Sequence, residues 1–231
     1  MSTLPDALTA RIRAEAARGD MAVDLPVYEA AGKDPLVPLL LGSGSLAAPI
    51  GVFGRDPGRF EIVHDEPFIG AGGQLIRAAL HRAVHGSEPG PGTAGFDAAL
   101  AVGRGVFWAN TVPYKPVGNK PWSLTIQRRF VPMIRELLVE HWTGRDLLIC
   151  GTRPFQWFRL ADPTLKPALD AFWARDDRYA ASLDITLAGK PLRLHPLPHP
   201  SPANAAWFKK FPALIDARLA SLLTEHRATC R

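Results

Sequence analysis

Apolar positions recur along this chain with two different spacings, and the alternation between them predicts a layered fold. Short continuous apolar runs at Ile50-Gly51-Val52-Phe53, Val106-Phe107-Trp108-Ala109 and Leu147-Leu148-Ile149-Cys150 read as strands covered on both faces. Residues 183–187 and 192–195 read as a hairpin across Ala188-Gly189-Lys190, its second strand joining the centre of the sheet. Between these runs, apolar residues return every three or four positions. They do so at Leu8, Ile12 and Ala16, then at Leu75, Ile76, Ala79, Leu80, Ala83 and Val84, where a Gly-rich stretch opens the helix. A third stripe, Ile126, Phe130, Ile134, Leu137, Leu138 and His141, follows Ser123, a suitable N-cap, and contains Pro132, which predicts a kink or a late start. One or two helices are expected between Arg153 and Trp173. A short helix is expected from Ser201 as cap, with Pro202 at its first position, to about Lys210, and a last one carries Leu214, Ile215, Leu219, Leu222 and Leu223.

Strands alternating with helices predict an α/β class fold, a three-layer α/β/α sandwich with a central, mainly parallel four-stranded sheet. Residues 1–231 read as one domain with an N-terminal helical extension at about 1–45. Residues 35–49 read as an ordered surface connection, residues 86–95 as a flexible loop, and the Pro-rich residues 113–121 as a loop on the ligand side.

With 231 residues, 47% hydrophobic and 21% charged, the chain can bury a substantial core. No stretch approaches membrane-spanning length and the N-terminus lacks an apolar signal core, so no membrane association is expected. Two cysteines provide no disulfide framework, which fits a reducing cytoplasm. The excess of 27 Lys+Arg over 22 Asp+Glu suits a polyanionic partner without requiring one.

The candidate chemistry lies where strands end, the position at which parallel sheets gather ligands. Gly54-Arg55-Asp56-Pro57-Gly58 follows the first strand, Asn110 ends the second, and His199-Pro200-Ser201-Pro202 follows the last. Pro67-Phe68-Ile69-Gly70-Ala71-Gly72-Gly73-Gln74 opens a helix, exposing backbone N–H groups that favour anions, yet it lacks the Lys-Ser/Thr pair of a nucleotide P-loop. Each element also has an ordinary reading: Asp56 as a turn aspartate, Phe68 as core, Asn110 as a cap and His199 as a structural loop residue. His81 and His85, four apart, read as a solvated helix face, since no third metal ligand accompanies them.

Taken in order, these segments resemble the uracil-DNA glycosylase superfamily, from about Gly51 to Leu223, with Pro116-Val117-Gly118-Asn119 and the Pro132-interrupted helix as further points of likeness. The resemblance implies that Asp56 orients water, Phe68 stacks on an extruded base, Asn110 reads uracil with its amide, and His199 hydrogen-bonds uracil O2. It implies a site framed by Gly54 and Arg55, and DNA contacts at Gly72, Lys120, Ser201, Ala203, Asn204, Trp207 and Lys209. The reaction implied is monofunctional hydrolysis of the N-glycosidic bond, leaving an abasic site for base-excision repair. The alternative is a catalytically weak or covalently trapping uracil-DNA binder.

The motifs mix two classes of that superfamily. The iron-sulfur class uses four cysteines, and this chain has two, so neither metal nor cofactor is expected. Gly58 stands where the Ung-like class has a thymine-excluding tyrosine. Arg55 follows neither pattern and is left between a DNA phosphate and a surface carboxylate. Ala203 and Asn204 occupy the place of the apolar wedge, which leaves Trp207 as a candidate. The partner expected is uracil-containing DNA, single- or double-stranded, bound by a monomer without an obligate protein partner.

Overall fold

The computed structural model describes residues 5–38 and 41–229, the last four of these by their backbone alone. In chain order, α1 (Asp6–Ala16) and α2 (Leu25–Ala30) precede β1 (Ser43–Gly44) and β2 (Ile50–Gly54). Next come α3 (Arg59–His64), α4 (Ala71–His85), α5 (Gly92–Gly103), β3 (Phe107–Asn110), α6 (Leu124–Glu136) and β4 (Asp146–Cys150). The chain then forms α7 (Thr152–Ala161), α8 (Lys166–Trp173), β5 (Leu183–Leu187), β6 (Lys190–Leu197), α9 (Ala205–Phe208) and α10 (Phe211–Thr229).

The strands pair in the order β1-β3-β2-β4-β6-β5. The four central strands run parallel, as expected, and β1 and β5 add antiparallel edges. Alternate residues of one strand feed opposite layers, as the two-residue period of a strand requires. Phe53, Phe107, Leu147, Ile149 and Leu194 pack under α1, α6, α7 and α8. Val52, Trp108, Leu148, Cys150 and Leu197 pack against α4 and α10, whose Ile76, Leu80, Ile215 and Leu219 face inward. Both faces of the sheet are therefore covered, which makes this an α/β/α sandwich.

Several local expectations are corrected. The segment expected as a loop over 86–95 becomes helical at Gly92, where α5 begins and packs on α4. Pro132 neither delays nor breaks α6: Ser123 caps the helix by accepting from Ile126 N at 3.2 Å, and Pro132 points to solvent. The irregularity comes one turn later, as a π turn over Leu137–His141 with Trp142 N bonded to Leu137 O at 3.0 Å. His81 is buried, its Nδ1 lying 2.9 Å from Ser87 O, so α4 does not present a solvated histidine pair. No helix among the described residues is long and apolar enough to cross a membrane. Cys230 lies outside the described residues.

A polar strap starts from Asp146, the first residue of β4, and crosses β6. Asp146 Oδ1 lies 2.8 Å from His195 Nε2, His195 Nδ1 lies 2.9 Å from Ser182 Oγ, and Arg218 Nη1 donates to that hydroxyl at 2.9 Å. The strap ties β4, β6 and α10 together. Burial, the largest influence, pushes His195 below the usual imidazole range, against the pull of Asp146.

Candidate active site

The carboxyl ends of the four parallel strands open onto one cavity of about 480 Å³. Arg55 and Asp56 follow β2, Asn110 ends β3, Cys150 ends β4, and His199 follows β6. Ladder bonds continue past the strand tips: Thr111 N donates to Gly54 O at 2.9 Å and Val112 N to Arg55 O at 3.2 Å, fixing the backbone on which Asp56 stands.

Gly54 is where the sheet must yield to a ring. A Cβ there would lie 2.5 Å from Phe68 Cζ and 2.9 Å from Asn110 Oδ1, so only glycine admits both neighbours. Phe68 itself has φ 51°, in the left-handed region disfavoured for a bulky side chain. Two charged groups hold it there. The buried Arg77 guanidinium donates through Nε to Phe68 O at 3.1 Å and through Nη2 to Pro67 O, while lying 4.7 Å over the Trp108 ring. On the other side, Glu61 Oε1 accepts from Ile69 N at 3.2 Å and Gly70 N at 3.0 Å. The Glu61 carboxylate also takes the space a side chain at Gly58 would need.

Burial is the largest influence on the Asp56 carboxyl and pushes it up to about 6, while the Arg55 guanidinium pulls it down. Its side chain is only 3% exposed. The carboxylate that Arg55 engages is that of the adjacent residue and not a remote surface one. Arg55 turns back on its neighbour, Nε to Asp56 Oδ1 at 2.7 Å and Nη2 to Oδ2 at 3.0 Å, and Nη2 also donates to Asn119 O at 2.9 Å. His199 is pushed below the usual imidazole range by burial first and the Arg55 charge second, so its neutral form prevails at pH 7. Asn110 Oδ1 is buried and accepts no hydrogen bond from the described residues.

The cavity thus gathers Gly54, Arg55, Asp56, Phe68, Asn110 and His199, together with Gly72 and Ser201 at its rim. Gly72 is needed for close approach, because a Cβ would run into the Pro200 carbonyl where α4 meets the His199 turn. Lys120, Ala203, Asn204, Trp207 and Lys209 lie outside it. Lys120, Ala203 and Lys209 are exposed, and Asn204 Nδ2 donates to His199 O at 3.4 Å.

The helix expected from Pro202 begins only at Ala205. Residues 201–204 form a turn, with Asn204 N bonded to Ser201 O at 2.8 Å, so no row of free helix amides stands beside Ser201. Trp207 packs edge-on against Tyr179 at 4.8 Å, with Lys210 5.3 Å from its ring centroid.

Sequence reasoning gave Arg77, Glu61 and Cys150 no part in the site, and took Asn119 only as a point of family likeness. Arg77 carried a signal, since a charge on the Ile76–Leu80 stripe of an amphipathic helix demands a buried partner. Cys150 is the single cysteine among the described residues, and burial pushes its thiol up to about 12, so the thiolate set of an iron-sulfur cluster is not available here. Away from the cavity, Glu136, Glu140 and His141 bring three ligand-type atoms within 4.8 Å, but Glu136 is already paired with Arg11 at 2.6 Å.

A carboxylate, an imidazole, an amide and an aromatic ring around one cavity at the tips of a parallel sheet suit a flat polar ring as ligand. The family model of the uracil DNA glycosylase superfamily matches residues 41–223, and the chain belongs to that superfamily. A search of curated proteins finds no match. Membership supports a DNA glycosylase-type function, with DNA as the molecule bound.

Proposed function

We propose that this protein is a monofunctional uracil-DNA glycosylase that starts base-excision repair. The observation that carries the reading is the buried Asn110 Oδ1, without a hydrogen-bond partner among the described residues, in a cavity that also holds Asp56 and His199. An acceptor left bare in a buried site favours a ligand that brings a donor, and uracil N3–H is one. The Asn110 N–H₂ group would meet O4. Cytosine reverses the donor and acceptor pattern at both atoms.

Reaching such a site requires the nucleotide to leave the base stack, which costs a few kcal/mol. Stacking on Phe68 offsets part of that, at about 1 to 3 kcal/mol for a base on an aromatic ring. Breaking the C1′–N1 bond leaves its electron pair on uracil and positive charge on the sugar. Neutral His199 would then donate to O2 as negative charge grows there, an interaction stronger in the transition state than before it. The Asp56 carboxylate would stabilise the sugar cation and orient the water that bonds to C1′, its proton passing to Asp56 and on to solvent.

A uracil-containing oligonucleotide incubated with the protein should give an alkali-labile abasic product, and Asp56→Ala or His199→Ala should remove most of the activity. No abasic product, or full activity in both variants, would overturn the reading. The second reading, a binder with little or no turnover, draws on Arg55 engaging both Asp56 oxygens. Tight uracil-DNA binding without base release, or a persistent adduct on a denaturing gel, would decide for it.

A further inference from the structure

The Asp56 carboxylate sits at the tip of β2 with almost no access to water, and a buried carboxyl without a partner takes up a proton rather than keep its charge. What opposes that is the fork of Arg55, two parallel N–H···O bonds at 2.7 and 3.0 Å from the next residue in the chain. The fork is itself anchored, because Arg55 Nη2 also donates to the main-chain oxygen of Asn119, sixty-four residues away in the Pro-rich loop. Arg55 is 23% exposed, so its charge is partly hydrated while its partner is not.

The other cations around Asp56 are less able to take this part. Lys115, from the loop after β3, is held by Asp24 at 2.7 Å and by Pro116 O at 3.0 Å. Arg153, on α7, is exposed and acts only at a distance. His199, on the β6 side of the cavity, is kept neutral in part by Arg55 itself.

We infer that Arg55 is a positioning residue that keeps Asp56 ionised and fixes both of its oxygens, with the loop at Asn119 holding the fork in place. The catalytic consequence rests on the role proposed above for Asp56, whereas the effect on the carboxyl itself does not. The same guanidinium disfavours protonation of His199, so one side chain supports the anionic partner and the neutral partner of the pair together. Without Arg55, both groups would gain protons at a higher pH, and loss of activity on the acid side would move toward neutrality.

The test is a carbon-13 NMR titration of side-chain carboxyls in the full chain, with Asp56→Asn assigning the signal. In the wild type the Asp56 carboxyl should titrate near 6. Arg55→Met should raise the midpoint by about one pH unit or more, a tenfold or greater gain in proton affinity. Arg55→Lys should fall between, since a point charge cannot reproduce the two-pronged contact. An unmoved midpoint in Arg55→Met overturns the inference. If that variant does not melt cooperatively, Arg55→Lys carries the test, and a midpoint equal to wild type overturns it. In parallel, the deficit of Arg55→Met in uracil release should grow steeply from pH 8 to pH 6. Should the wild type release no uracil at any pH, the proposed function fails, while the titration still decides the role of Arg55.

Discussion

Asp56→Asn should make the fold more stable while removing its activity, and the size of the gain follows from the burial of one carboxyl. The folded-state value near 6, against 3.8 in the open chain, means that the fold prefers the protonated form by roughly two pH units. At 1.36 kcal/mol per unit, ionised Asp56 costs about 3 kcal/mol of stability at pH 8. The sign follows from the raised value: the contribution is fully present below about 3.8 and is lost as pH rises through about 6. Asparagine has nearly the shape of the protonated acid and lacks its charge at every pH, and Arg55, partly exposed already, can turn its fork to water. For a chain of this size, 1 kcal/mol moves the melting temperature by about 2 to 4 °C, so the variant should melt about 6 to 12 °C higher at pH 8. At pH 4.5 most of that difference should be gone. Circular-dichroism melts at the two pH values measure it, and release of uracil from an oligonucleotide measures the loss of function. A variant no more stable than wild type at pH 8, or equally stabilised at both pH values, would refute the argument that burial dominates at Asp56.

Arg77→Met should loosen the Phe68 loop, because Pro67 O and Phe68 O lose their buried donor. Two unsatisfied carbonyls cost about 1 to 3 kcal/mol each, offset by no longer burying a charge, so activity should fall more than the melting temperature; a collapse of the fold with normal kinetics per folded molecule would contradict this. His195→Gln should flatten the acid side of the stability profile by up to about 1.4 kcal/mol per pH unit below 6.5, because a buried imidazole with a lowered value is a source of stability present above 6.5 and lost as pH falls. Asp56 acts with the opposite sign in part of that window, so the comparison is between slopes of wild type and variant by denaturant titration. Phe60, 60% exposed on α3 at the cavity mouth, is the largest bare ring near the site. Phe60→Ala should therefore lower uracil release from duplex DNA more than from single strands, and equal losses on both would refute a part for it in opening the stack.

The sheet and the strand-tip residues were legible because local chemistry marks them: apolar runs of four or five residues stop at Gly54, Asn110 and the His199 turn, where Pro and Gly punctuate the chain. What stayed hidden depends on contacts between distant segments. Nothing near Arg55 announces that its fork closes on Asp56 or that Asn119 anchors it, because rotamer choice is settled by neighbours brought in by the fold. The first turn of α5 is Gly-Thr-Ala-Gly, too poor in apolar periodicity to separate from a loop, and it is at the far end of the helix that Gly103 lets α5 lie close on Arg77 of α4. Ser201-Pro202 carried a helix-start signal that the chain spends on a turn instead, with Ala203 N accepted by Ser201 Oγ at 3.3 Å. His81 was misjudged as solvated because sequence cannot show that Ser87 folds back to meet it.

The order of the central strands has one more implication. Asp56 and His199 leave the tips of β2 and β6, and β4 runs between those two strands. Neighbouring strands stand about 4.8 Å apart, so the two walls are roughly 10 Å apart whatever the loops do. That breadth changes only in whole strands, and Cys150, at the tip of the intervening β4, reaches the cavity between the two walls while its side chain stays packed in the layer with α4 and α10.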